Sequence, residues 1–406
     1  MKRRYFDTIK RIHGKMSAMA DAVLSAGATR SGRWATAIGA TIVLALLAFI
    51  CDRIPHSFGN EEMSMKKMRL ATLLTNRPPQ PADEDILAVN IAYDRQLTPI
   101  TDEYGLPCGE IDVTDREKLT RFLSLIKDVG YKAIAIDVFF DEGLPADGDT
   151  ALFHLINNMP RTVVPDHTDA AVNPMINTER LGAADYDVNL LSNNFSKYRF
   201  RRADGLPSMA SRLFEHTGGK TSTGSAPCLL LPLERELSQP YNPESGDKIW
   251  YNLGADILDC LSEEETTQLC KDKVIIIGDF SENDMHDTYI GETAGPAILI
   301  NALLTLREGR DRINLWSVIL TVAIYFLICL TLVFGKSIWD LIGWHPATTL
   351  NFILSFFGFE AILGILQMLQ FTLFTEFHDT FLVSLFFSGF SIYCQKLNES
   401  TFVNES

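Results

Sequence analysis

KAIAIDVFF, residues 132–140, is a short and almost unbroken run of apolar, β-favouring residues. Such a run marks a strand buried on both faces, the kind found in parallel sheets. Upstream, Thr114–Val129 (TDREKLTRFLSLIKDV) places Leu119, Phe122, Leu123, Ile126 and Val129 at helical spacing, with Thr114 at the capping position and Gly130 at the stop. Further upstream, Asp85–Ala92 (DILAVNIA) is a second strand-like run, preceded by the proline cluster Arg77–Pro81. Downstream, Asp147–Asn158 predicts a helix and Arg161–Val164 a strand. Strand, helix, strand, helix, strand implies parallel pairing with right-handed crossovers. The stretch 166–245 is rich in loop residues, with one helix predicted over Pro207–His216 and Pro207 in its first turn. Lys248–Asn252 and Lys273–Gly278 read as strands around a helix at Ser262–Cys270, and Ala297–Glu308 closes the domain as a helix. The expectation for residues 82–312 is an α/β domain with a mixed, largely parallel sheet flanked by helices.

Four apolar runs frame that domain. Trp34–Ile50 is seventeen residues without a charge, and Trp316–Phe334 is nineteen. A charge at a helix centre costs roughly 2.5–3.5 kcal/mol to insert, so runs this clean select for a membrane. Ala347–Gln370 is interrupted only by Asn351, Glu360, Gln367 and Gln370, and an intramembrane Glu is expected to face other helices or an interface. Phe381–Cys394 is shorter. The expected layout is a basic cytoplasmic segment 1–33, a first transmembrane helix 34–51, and a juxtamembrane linker 52–81. Further transmembrane helices follow at 314–335, 347–370 and 378–394, then a cytoplasmic tail 395–406. Eight cations in residues 1–33 orient the first helix with its N terminus inside, so the domain lies outside the cytoplasm. Phe6, Ile9, Ile12, Met16, Met19 and Val23 recur at helical spacing in that segment, which suits the anionic inner leaflet or a cytoplasmic partner.

Residues 52–312 carry 26 Lys/Arg against 43 Asp/Glu, which excludes nucleic acid as a partner. Cys108, Cys228, Cys260 and Cys270 lie in the external part and either form two bridges, by any of three pairings, or stay as free thiols. No GxSxG, HExxH, GxGxxG or EF-hand pattern occurs, and Gly218-Gly219-Lys220-Thr221 lacks the earlier Gly of a phosphate-binding loop. The expectation is therefore a protein without enzymatic activity and without a cofactor. Three apolar runs end in carboxylates: Asp94, Asp137 with Asp141 after it, and Asp279. In an open parallel sheet these ends line the crevice where ligands bind. Asp284, His286 and Asp287 follow closely and are expected to join them. Such a set would suit Mg²⁺, Ca²⁺ or a cationic small molecule, with the metal left undecided; the bland alternative is that each Asp caps a turn or helix.

The order of these segments resembles the CHASE2 sensor family of bacteria. The first strand ends as Val89-Asn90-Ile91-Ala92-Tyr93-Asp94, and the family form G-x-K-A-I-x-I-D-V-x-F matches Gly130–Phe140. The late strand K-D-K-V-I-I-I-G-D is Lys271–Asp279, followed by Asp284-Met285-His286-Asp287-Thr288, Gly295-Pro296 and Asn301-Ala302. Gly105–Glu110 (GLPCGE) replaces the Trp-Pro-Trp-x-Arg-like stretch of the family, so contacts attributed to that stretch are not carried over. The resemblance implies an extracytoplasmic sensor, multi-pass in the bacterial inner membrane, that drives a cytoplasmic output domain. Residues 395–406 are too few for such a domain, so the expectation is a sensory or ligand-binding protein signalling through a separate partner. The alternatives are a non-catalytic envelope assembly subunit and, further off, an envelope enzyme. The ligand, an unknown small molecule or an envelope protein, and assembly as a homodimer stay open.

Overall fold

The computed structural model describes residues 29–53, 61–75, 85–102, 104, 106–186, 197–222, 228–229, 248–281, 283–288, 291–309, 311–312, 314–335, 348–374, 378 and 380–405. The expected amphipathic segment before residue 29 lies outside them. The chain divides into two units, Arg53–Arg312 and Met1–Asp52 with Ile313–Ser406. In chain order the elements are α1 (Arg30–Arg53), α2 (Glu61–Thr75), β1 (Ile86–Asn90), β2 (Arg95–Thr101), β3 (Pro107–Thr114), α3 (Arg116–Ile126), β4 (Ala133–Ile136), α4 (Asp149–Asn158) and β5 (Thr162–Asp166). There follow β6 (Leu181–Ala183), β7 (Lys197–Tyr198), α5 (Met209–His216), β8 (Cys228–Leu229), β9 (Trp250–Asn252), α6 (Glu263–Cys270), β10 (Val274–Gly278), β11 (Met285–Thr288), β12 (Gly291–Ala294) and α7 (Gly295–Arg307). Last come α8 (Leu315–Val333), α9 (Thr348–Phe374) and α10 (Phe381–Glu405).

Six strands form one sheet in the order β6-β5-β4-β10-β1-β9, and every pairing in it is parallel. β4 and β10 are buried along their whole length, as their uninterrupted apolar sequences require. Leu119, Phe122, Leu123 and Ile126 of α3 share one core with Leu152, Phe153 and Ile156 of α4 and with Ile134, Ile136, Ile275 and Ile277 of the sheet. α5 and α7 pack on each other, α5 also against β4, β5 and β6 and α7 also against β10. Asp85, just before β1, is held by Lys132 at 2.7 Å and by Arg307 of α7 at 2.7 Å. Burial raises the Asp85 carboxyl, and the two cations outweigh it, leaving the group below its ordinary value.

Several expectations change in detail. The stretch 52–81 is not all linker: α2 occupies half of it, because EEMSMKKMRLATLLT is built from good helix formers. The connection after β1 contains an antiparallel hairpin, β2–β3, hidden in the sequence by Pro99, Pro107 and a weak alternation. Thr114 is therefore the end of β3, and Asp115 caps α3 by accepting from Lys118 N. Ser208, not Pro207, starts α5 by accepting from Ser211 N. The apolar run 132–140 leaves the sheet at Ile136, which frees Asp137, Val138 and Phe139 for another use. Cys108, Cys260 and Cys270 carry free thiols, while the side chain of Cys228 lies outside the described residues.

The other unit is helical. Among the described residues three helices are long and apolar enough to cross a membrane: Arg30–Cys51, Leu315–Val333 and Ser355–Phe374. Ala37, Ala40, Leu44 and Ala48 form the buried stripe of α1, in one core with Tyr325, Cys329 and Leu332 of α8. Small residues let helix backbones approach closely, as membrane helices require. Ile38, Ile42, Leu46 and Ile50 form the opposite, exposed stripe, which water would penalise and lipid would not. Gln370 of α9 donates to Thr321 of α8, and Thr380 lies 3.4 Å from Glu360. α10 is one helix to Glu405, so residues 395–405 continue it rather than forming a separate tail.

Candidate functional site

The C-terminal edge of the parallel sheet is tied together by one amide. Asn90 Nδ2 donates to Asn252 Oδ1 at 2.9 Å, and Asn90 Oδ1 accepts from Phe280 N at 3.0 Å and Ala92 N at 3.2 Å. That joins the ends of β9, β1 and β10. Beyond this edge lies a cavity of about 400 Å³, bounded by the residues that follow β1, β4, β10 and β6, by the β2–β3 hairpin and by the first turns of α5 and α7. Its position is the one expected for ligand sites in open parallel sheets.

Of the seven polar residues singled out in the sequence, Asp137, Asp141, Asp279, Asp284 and His286 line this cavity. Asp94 and Asp287 do not. Asp94 points the other way: it is 4% exposed, receives Lys118 Nζ at 2.7 Å and accepts from Gly254 N at 3.0 Å. A Cβ on Gly254 would stand 2.4 Å from its carboxylate, so glycine is required for that close approach. Asp94 clamps β1 to α3 and to the turn after β9, and the expected convergence of all strand-end carboxylates stops short of it. Asp287 sits exposed on β11.

The lining carboxylates differ in how they are held. Asp279 receives Arg95 Nη2 at 2.7 Å, Asn283 Nδ2 at 3.1 Å and Ser281 N at 3.0 Å. Asp141 accepts from Gly143 N at 2.7 Å. Asp284 lies 2.9 Å from His286 Nε2, and its carboxylate rests on Gly295, where a Cβ would come within 2.0 Å of it. Asp137 has no side-chain hydrogen bond or ion pair among the described residues. It is half-buried and lines the cavity. Burial first, and the negative charge of Asp284 second, push its carboxyl up to about 8. Tyr198, also lining the cavity, is pushed up to about 12, chiefly by burial.

Arg95, Asp112, Arg116, Phe139, Tyr186 and Tyr198 also line the cavity and were not foreseen. Arg95 and Asp112 come from the hairpin, which carries no strong strand signal. Arg116 was visible only as a first-turn helix residue. It is buried, bound through Nε to Asp149 at 2.9 Å, and lies over the Phe140 ring at 4.7 Å.

The state of Asp137 has a measurable consequence. A carboxyl near 3.9 when unfolded and near 8 when folded binds more protons in the folded state throughout that interval. Its favourable contribution is complete below the unfolded value and is lost as pH rises through the folded value. Asp137→Asn should flatten this slope and raise stability at about pH 8.5, by up to about 5 kcal/mol, read as the thermal midpoint across a pH series. A loss of stability at every pH would mean that Asp137 makes a native hydrogen bond.

A family model described as the CHASE2 domain matches residues 67–335. No curated protein and no solved structure matches the chain.

Proposed function

The chain belongs to the CHASE2 domain family, and on that premise we propose that it is a membrane-anchored receptor whose domain binds a small ligand in the cavity at the C-terminal sheet edge. CHASE2 domains are extracytoplasmic sensory domains. The observation that carries the reading is the cavity itself: about 400 Å³, walled by polar and apolar groups from separate elements, at the edge where such folds bind ligands. The basic residues before α1 and the apolar helices support a multi-pass arrangement in the bacterial inner membrane, with residues 85–312 outside and α10 as a fourth span. The ligand-bound state then passes through the helices to a separate signalling partner.

Two measurements test this together. A reporter active only outside the cytoplasm should work when fused near residue 200 and fail when fused after residue 396. The full chain in detergent micelles, screened by thermal shift against a library of small molecules, should be stabilised by one chemical class. Stabilisation by no compound, with an envelope protein co-purifying, would favour an assembly subunit instead.

A further inference from the structure

The wall of the cavity is specific about charge. Asp112, Asp137, Asp141, Asp279 and Asp284 line it against two guanidinium groups, Arg95 and Arg116. Both of those are already engaged, Arg95 by Asp279 at 2.7 Å and Arg116 by Asp149 at 2.9 Å. Asp112, Asp137 and Asp141 have no cationic partner among the described residues. An anionic guest would meet uncompensated repulsion from these carboxylates, whereas a cationic one would let Asp137 ionise beside Asp284, which burial and that neighbour otherwise oppose. A bare metal ion fits poorly, because among the described residues no group of three or more His, Cys, Asp or Glu is placed to hold one.

Apolar surface makes up much of the remaining wall. Val138, Phe139, Met209, Ile298 and Leu299 line it, with Tyr186 standing edge-on to His286 at 4.6 Å. A carboxylate pair alone could attract any cation, whereas a carboxylate pair set into an apolar cavity of this volume also requires an apolar body. Aromatic faces near the charge add a cation–π contribution.

We propose that the cavity recognises an organic ammonium ion with an apolar or aromatic body, its N–H groups donating to Asp137 and Asp284 while the body packs against Phe139, Met209 and Leu299. The inference rests on the reading of the cavity as a ligand site. Binding supplies Asp137 with a charged donor, so that its carboxyl releases its proton to solvent and ionises beside Asp284.

The test uses three probes of one skeleton, 4-phenylbutylamine, 4-phenylbutan-1-ol and 4-phenylbutanoate, titrated against the full chain in detergent micelles by calorimetry. The amine should bind at least about ten-fold more tightly than the alcohol, and the carboxylate more weakly than either. Asp137→Asn should abolish the preference for the amine, bringing its affinity down to that of the alcohol; Asp284→Asn is the second variant, should Asp137→Asn express poorly. Equal binding of amine and alcohol, or a preference for the carboxylate, would overturn ammonium recognition and leave the cavity as a receptor for another class. Binding by none of the three overturns it as well, and the receptor reading falls with it only if the library screen also finds no stabilising compound.

Discussion

Asp149→Ala is expected to lower the stability of the external domain by about 3–5 kcal/mol, because it leaves the Arg116 guanidinium buried without its counter-ion. The Arg116 side chain is 4% exposed, and its Nε lies 2.9 Å from Asp149 Oδ1. Its Nη1 donates to Thr114 O at 3.2 Å, and its plane covers Phe140. Asp149 Oδ2 in turn accepts from Ala146 N at 2.8 Å, so the carboxylate also shapes the turn that starts α4. Neither alanine nor water can replace both roles. For a domain of this size the loss corresponds to a thermal midpoint roughly 6–12 °C lower, measured on the full chain. The matched double variant Arg116→Met with Asp149→Leu should recover most of it, since no charge is then left in the interior. A change below about 1 kcal/mol for Asp149→Ala would mean that the pair is solvated.

Gly278→Ala is expected to destabilise by about 2–3 kcal/mol through overpacking. Gly278 is the last residue of β10, and a Cβ there would fall 2.3 Å from Pro296 Cγ and 3.1 Å from Asp137 Cβ. The proline ring is rigid and sits in the first turn of α7, so relief requires moving the helix off the sheet edge. The same movement disturbs Asp137, and the preference for an ammonium probe should weaken with it. Gly130→Ala is the matching control: nothing stands within 4 Å of its added Cβ, and the change should stay within about 0.5 kcal/mol. Equal effects for the two glycines would show that the contact between β10 and α7 is loose.

Apolar patterning made the central strands and their helices readable. Ala133–Ile136 and Val274–Gly278 are apolar without interruption because both faces of a central parallel strand are covered, and Leu119, Phe122, Leu123 and Ile126 recur at helical spacing because α3 covers one of them. Short paired segments were not readable. β2, β3, β11 and β12 form hairpins in which β3 exposes most of its residues and β11 buries only Thr288, so burial imposes little pattern on them. α2 was hidden for a related reason, since a short helix beside a proline cluster reads equally well as a linker.

For the site, the residue types were legible and the grouping was only partly so. Strand-end position in a parallel sheet singles out Asp94, Asp137 and Asp279 alike, because all three follow apolar runs. Which of them faces the cavity depends on the backbone after each strand: the turn after β1 carries Asp94 toward Lys118 and Gly254, whereas Asp137 and Asp279 stay at the edge. The sequence alone determined an α/β domain framed by apolar helices, because period and hydropathy are local properties that burial imposes residue by residue. Tertiary structure alone decided that Asp137 is left without a partner among the described residues while Asp279 and Asp94 are neutralised, because the cations responsible, Arg95 and Lys118, lie 184 and 24 residues away along the chain and meet them only through the folded sheet.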